Sequence, residues 1–495
     1  MVDITYISNL EAVAVAGSEA EADVMERHFR KKVPGSEWIV RKRGGFGCFH
    51  FRFWNRSTGS IGRGLVPEMK RLLKENGMQY RVDKNGFESK GESLTAEQIA
   101  AWSETLMNGK YKMRPDQAEA AAMCLRHKQL VCQLPTGFGK SMVIYAVARR
   151  MIDVLGRNVI LIVPSKQLAS QMSSDFKDYG WEGMDDFVEI MHGEAAKPSF
   201  KKSMLISTWQ SLQKYPASLL GRYKCLMVDE VHHGKGSAGN FSKLHKIIKN
   251  CSMADYRLGF TGTMPPDEHD SFMVQSNLGP AHAPVSYTDM KEMGILSDCS
   301  VMMVRLDYSD EARKKWSRRG YIDEIRFLEE NPARCEAILN LVRNLPEGQN
   351  TLVMFSHTRH LDFMLECFKN SGFGNVKVIK GETKVAARES VRAAAEAEEG
   401  VTVFATYGCV QEGVNIKKLH NIVLASSSKS EIRVLQTIGR GLRTHASKEK
   451  AAVWDIVDDL SLGKFKNYAL NQAAKRFDYY QEQGFNIEHR KISGL

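Results

Sequence analysis

QLPTGFGKS, residues 133–141, is the stretch on which the fold turns. It overlaps LVCQL, residues 130–134, a short apolar run of strand character. It leads into SMVIYAVARRMIDVL, whose Val143, Ala146, Val147 and Met151 recur at helical spacing before Gly156. A glycine-rich turn from strand into helix suits a phosphate. The N–H groups at the helix N-terminus point at the anion, and Gly137 and Gly139 let the chain approach it. Lys140 can reach the β- and γ-phosphates, and Ser141 can ligate Mg²⁺. Leu134 stands where the general pattern G-x-x-x-x-G-K-[ST] has its first glycine, so a plain glycine turn ahead of a helix is the alternative for this stretch on its own.

A second stretch bears on that alternative. In CLMVDEVHH, residues 225–233, four apolar residues run into Asp229 and Glu230 at the carboxyl end of an expected strand, where α/β sheets place their ligand sites. Asp229 can hold Mg²⁺, and Glu230 can orient and deprotonate a water attacking phosphorus. His232 and His233 lack Cys or His partners at zinc spacing.

Further out, short β-branched runs such as NVILIVP and KCLMVDE alternate with helical stretches from about 95 to 280, and TLVMF, VTVFAT, NIVLAS and AAVWDIVDD do so from about 330 to 460. Such alternation predicts βαβ units and parallel sheets. Composition agrees: 495 residues, 43% apolar and 26% charged, are enough for several buried cores. The balance of 69 Lys+Arg against 58 Asp+Glu, +11 overall, favours a polyanionic partner. Nine scattered cysteines without a C-x-x-C pair read as reduced thiols in a cytoplasmic protein. No apolar run approaches the ~18 residues of a membrane span, and the opening MVDITYISNLEAV lacks a basic region followed by an apolar stretch, so no signal peptide is expected.

The motifs occur in a definite order: RPDQ (114–117), LPTGFGKS, VPSKQLASQ (163–171), STWQSL (207–212), VDEVHH, FTGTM (260–264), MFSHT (354–358), ATYGCVQEGVNI (405–416) and LQTIGRGLR (435–443). In this order the chain resembles the superfamily 2 helicases, whose phosphate loop reads PTGxGK[ST] and so accounts for Leu134. With the basic N-terminal zone, TDMKEMGILSD, IKGET (379–383) and LQTIGRGLRTHASKEKAAVWDIVDD, it resembles the UvsW-type bacteriophage helicases more closely still.

The resemblance implies an α/β chain of two RecA-like parallel-sheet cores in tandem behind a small N-terminal α+β module. The expected bounds are 1–92 for the basic module, 93–280 for the ATP-binding core, 281–329 for a connection, 330–460 for the second core and 461–495 for a helical tail. It implies ATP and Mg²⁺ as cofactors. Arg114 and Gln117 would recognise adenine, and Thr136, Gly137, Gly139, Lys140 and Ser141 the phosphates. Ser141 and Asp229 would hold Mg²⁺, with Glu230 as the water residue. His232, Thr261, Thr263 and Gly413 would link hydrolysis to motion. Gln436, Arg440 and Arg443 of the second core would reach the nucleotide, one arginine stabilising charge on the transferred phosphoryl group. Pro164, Lys166, Thr208, Trp209 and Thr406 would hold a nucleic-acid backbone. Two residues depart from the pattern: Asn415 stands where aspartate is frequent, and Thr437 replaces an arginine, which ranks Arg443 above Arg440 as the finger.

The N-terminal zone carries 15 Lys+Arg against 4 Asp+Glu over residues 27–84. Phe49, Phe51 and Phe53 alternate as strand residues facing a core. Arg41, Lys42, Arg43, Arg52, Arg56 and Arg63 would then form a phosphate-binding face, a solvated surface being the alternative. The expected function is an ATP-dependent helicase or translocase on branched or duplex DNA and RNA–DNA hybrids, acting on forks, Holliday junctions and R-loops in the host cytoplasm. A D-E-x-H RNA helicase and the motor subunit of a restriction-type complex are the alternatives.

Overall fold

The computed structural model describes residues 1–495 except 43–46, 88–90, 108, 192–197, 235–242, 296–297, 317, 384, 412–415, 417, 428–437 and 439–449. The chain forms two compact units, one of Met1–Pro135 with Gly139–Val285, the other of Thr136–Phe138 with Ser286–Leu495. Among the described residues no helix is long and apolar enough to cross a membrane.

In the first unit the N-terminal strands are β1 (Val2–Tyr6), β2 (Glu11–Val15), β3 (Arg30–Lys32), β4 (His50–Arg52), β5 (Ser60–Gly62) and β6 (Tyr80–Asp83). They make a mixed sheet in the order β5-β2-β1-β6 and a β3-β4 ribbon. Of the three alternating phenylalanines, Phe53 is buried and Phe51 half-buried, while Phe49, just ahead of β4, is 39% exposed and does not face the core.

This module does not close a core by itself. Its apolar cluster, built on Val2, Ile4, Phe29, Trp54 and Met69, takes in Phe272 and Met273 from the helix Glu268–Leu278 of the neighbouring sheet. Two glycines allow the approach: a Cβ on Gly64 would stand 1.9 Å from the Gln275 carbonyl oxygen, and one on Gly62 2.6 Å from that of Ser276.

The rest of this unit is a parallel sheet of β7 (Gln129–Gln133), β8 (Val159–Val163), β9 (Val188–Met191), β10 (Met204–Thr208), β11 (Cys225–Asp229), β12 (Tyr256–Thr261) and β13 (Ala281–His282), ordered β13-β7-β12-β11-β8-β10-β9. β8, β10 and β11 are buried at every position, as strands covered on both faces must be.

The second unit holds another seven-stranded parallel sheet, of β14 (Asp298–Asp307), β15 (Thr351–Phe355), β16 (Val376–Ile379), β17 (Thr402–Thr406), β18 (Asn421–Leu424), β19 (Lys450–Asp459) and β20 (Asn486–Ser493), ordered β16-β17-β15-β18-β19-β14-β20. Two segments differ from expectation. Part of the supposed connection, Asp298–Asp307, is β14, paired along its whole length with β19. The tail is helical over Tyr468–Glu482 but ends in β20, a polar edge strand on β14.

Buried ion pairs fasten helices to β19. Arg334, on the helix Pro332–Arg343, meets Asp458 at 2.7 Å, and Arg476, on the helix Tyr468–Glu482, meets Asp455 at 2.8 Å. The Tyr480 hydroxyl donates to the same Asp455 at 2.8 Å.

Candidate active site

Sheet order sorts the motif residues of the first unit. All strands of this sheet run parallel, so their carboxyl ends share one edge. The adjacent trio β7-β12-β11 ends at the glycine loop, at Thr261 and at Asp229, while the adjacent pair β8-β10 ends beside Pro164 and at Thr208. With strands about 4.8 Å apart, each group lies within reach of one ligand.

The loop has the backbone that its glycines permit. Gly137 has φ +91° and Gly139 φ +92°, the latter capping the helix Lys140–Arg149. The conformation calls for glycine here, and a Cβ on Gly139 would stand 2.4 Å from Nε2 of Gln117, whose amide would have to shift. Gln117 is buried, and its Oε1 accepts from the Arg114 N–H at 3.0 Å, while the Arg114 guanidinium pairs with Asp116 at 2.9 Å.

Lys140 Nζ lies 2.5 Å from Glu230 Oε1. Glu230 has φ +51°, a strained backbone for a residue with a side chain, and its N–H donates to Asp229 Oδ1 at 3.0 Å. Nδ1 of the buried His232 lies 3.3 Å from Glu230 Oε2 and 3.1 Å from Thr261 Oγ1. The Thr261 hydroxyl donates to the Thr263 carbonyl at 2.9 Å, so His232 Nδ1 is the donor toward Thr261 and toward the carboxylate. A continuous polar line therefore runs from Lys140 through Glu230 and His232 to Thr261 and Thr263.

Burial separates the two acids. It pushes the Asp229 carboxyl up to about 6, with the Glu230 charge adding to the rise. Burial acts the same way on Glu230, but the Lys140 ammonium and His232 outweigh it and hold that carboxyl far below the ordinary range. Glu230 is thus ionised throughout the physiological range, as a base must be. The Ser141 hydroxyl and the Asp229 carboxylate offer an all-oxygen donor set, which fits Mg²⁺.

One contact had no signal in the sequence: the Tyr179 hydroxyl is 2.8 Å from Ser141 Oγ. Tyr179 ends the helix Lys166–Asp178 and packs edge-on against Tyr111 and Tyr145.

On the β8-β10 side, Lys166 is exposed at the start of its helix and Trp209 is half-buried. Thr208 is buried, its Oγ1 accepting the Ser211 N–H at 3.3 Å. In the second unit Thr406 ends β17 and donates to Cys409 Sγ at 3.3 Å. Gly413, Gln436, Arg440 and Arg443 lie outside the described residues, as does Arg43.

The N-terminal cations divide. Arg41 and Lys42 are exposed, and Arg52 is 61% exposed beside Glu26. Arg56 is held by Glu19, Asp23 and Glu26 together. Arg63 is 6% exposed, lies over the Tyr6 ring at 4.6 Å and donates to Ser8 O and Asn9 Oδ1, which removes it from any outer face.

Residues 110–266 match the family described as type III restriction enzyme, res subunit, and residues 333–445 match the helicase conserved C-terminal domain. The chain belongs to the superfamily 2 helicases. It is accordingly an ATP-dependent helicase, a hydrolase. Over 447 residues it is 28% identical to the ATP-dependent DNA helicase uvsW of Enterobacteria phage T4, covering 87% of this chain and 88% of that protein. A shorter match, 27% over 175 residues, covers 35% of this chain and 36% of the DNA 3'-5' translocase XPB2 of Sulfurisphaera tokodaii. In fold it is similar to a putative HsdR subunit fragment of a type I restriction enzyme from Vibrio vulnificus YJ016, with TM-score 0.57 and 15% identity over 86% of this chain and 73% of that one.

Proposed function

We propose that this helicase is a DNA motor that remodels branched substrates, namely forks, Holliday junctions and R-loops with their RNA–DNA hybrids, in the recombination, replication and repair of a phage within the host cytoplasm. The observation that carries the reading is the partition of one sheet edge. Nucleotide residues cluster on β7-β12-β11 and backbone-gripping residues on β8-β10, so hydrolysis and grip share a rigid support. The likeness to the phage protein named a DNA helicase supports DNA as the track. The N-terminal module, sharing a core with the helix Glu268–Leu278, supplies a second grip suited to a branch.

In the first core, Lys140 exchanges Glu230 for the phosphates of ATP, and Glu230 then takes the proton of the attacking water. Ser141 and Asp229 would hold Mg²⁺, which would supply charge neutralisation at the phosphates. The line through His232 to Thr263 carries the change at Glu230 toward the segment after β12. By the resemblance, Arg443, with Gln436 and Arg440, would stabilise charge on the transferred phosphoryl group, and Thr406 would hold the nucleic-acid strand.

A restriction-complex motor has the family description of residues 110–266 and the HsdR likeness in its favour. ATPase assays on single-stranded, duplex, forked and four-way DNA, and on matching RNA, test the proposal. Strongest stimulation by forked or four-way DNA is expected. Stimulation by RNA alone, or co-purification with a nuclease or methylase subunit, would replace it.

A further inference from the structure

A groove of about 830 Å³ lies in the second unit, between the carboxyl halves of β19, β14 and β20 and the helix Tyr468–Glu482. Its floor is apolar, with Met303, Val457, Leu470 and Phe477, and its rim is basic. Arg305 and Lys491 face each other in register across β14 and β20. Arg305 is paired with Asp459 at 2.5 Å and Lys491 with Asp307 at 2.8 Å. Lys464, Lys466 and Arg490 are exposed, with no carboxylate partner among the described residues. Asp478 also lines the groove, on its helix.

We infer that this groove binds single-stranded nucleic acid, with bases on the floor and phosphates on the rim. The inference rests on the proposed function and extends its track. An apolar floor below separate cations calls for a ligand that is apolar on one side and polyanionic on the other. A single strand presents both, because its base faces are open; in a duplex those faces are stacked inside. The position agrees. The groove lies toward the carboxyl edge of the sheet that also carries Thr406 at the end of β17, and β17 and β14 are four strand steps apart, about 19 Å at ~4.8 Å per step. A strand held at Thr406 can therefore continue along that edge into the groove. An acidic peptide has similar charge, but the net charge of +11 and the shared edge favour nucleic acid.

The test uses the full chain carrying Lys464→Gln, Lys466→Gln and Arg490→Gln together. These residues are exposed and stand outside the ATP site, so unstimulated ATPase is expected to be unchanged and to report correct folding. Binding of a fluorescent oligo(dT) from about 50 to 200 mM salt should show a slope of log K against log salt shallower by about 2, at ~0.7 per lost phosphate contact, while duplex binding keeps its slope. Parallel oligo(dT) lines overturn the inference, as does equal flattening on duplex. A labelled acidic peptide that binds the parent but not the variant, with the DNA slope intact, assigns the groove to a protein instead. If no nucleic acid stimulates the parent ATPase, the proposed function falls; if stimulation persists and only the slopes are parallel, the groove alone falls.

Discussion

Lys140 Nζ sits 2.5 Å from Glu230 Oε1, so the phosphate-binding cation and the water-activating carboxylate hold each other. Replacing either frees the other in a different way. Glu230→Gln keeps shape and a neutral contact but accepts no proton, so ATP binding should persist while hydrolysis falls to background. Lys140→Ala should lose both. Nucleotide binding by fluorescence, beside steady-state ATPase, checks the pair, and near-normal turnover in Glu230→Gln would reject the assignment.

Asp229 predicts a pH dependence. Its folded value, about 6, is above the ordinary carboxylate range, so the charged form is disfavoured in the folded protein. The associated penalty is absent below the unfolded value and fully present above about 6. Asp229→Asn should therefore raise the Tm of metal-free protein at pH 7.5, on the order of 2 °C, and change it little at pH 4. A Tm gain of equal size at both pH values would show that burial is not the cause.

The N-terminal cations should separate by position. Arg41, Lys42 and Arg52 are exposed, and changing all three to Gln should flatten the salt slope on duplex DNA by up to about 2.7, at ~0.9 per contact. Arg63→Gln should leave that slope alone and lower thermal stability, because the side chain lies inside against Tyr6. A slope change in Arg63→Gln would contradict its placement.

Arg476 and Asp455 are both at most 1% exposed. Arg476→Ala strands a buried carboxylate and should cost about 3–5 kcal/mol, whereas Arg476→Met with Asp455→Leu should recover much of it. Urea unfolding monitored in the second unit reads the difference; equal losses in both variants would mean that packing alone matters.

Arg443→Ala should lower kcat by ~10³-fold or more with a smaller effect on ATP binding, since a finger acts mainly in the transition state. A larger kcat loss in Arg440→Ala would move the role to Arg440.

The cores were legible because parallel strands buried on both faces are written as unbroken apolar runs: NVILIVP became β8 and KCLMVDE became β11. The glycine loop and the Asp229–Glu230 pair were legible because each is local. Tyr179 was not, being 38 residues from the serine that it meets. Nor was β20, where NIEHRKIS is polar on both faces and is a strand only because β14 offers its backbone. The helix Glu268–Leu278 hid for the opposite reason: covered by the module on one side and the sheet on the other, it buries His269, Asp270, Ser276 and Asn277 and shows no polar stripe. Arg63 counts as a surface charge in any tally of composition, and only the fold puts it beneath Tyr6 and Phe87.

The shared core of the N-terminal module also sets a schedule for synthesis. Its last strand ends at Asp83, yet Phe272 and Met273, which complete its apolar cluster, follow some 190 residues later. At roughly 5–20 residues per second a ribosome needs about 10–40 s to cover that distance. Throughout that interval the nascent module stands outside the ribosome with one oily face uncovered, a defined window for chaperone capture or misassembly that closes when the helix Glu268–Leu278 emerges.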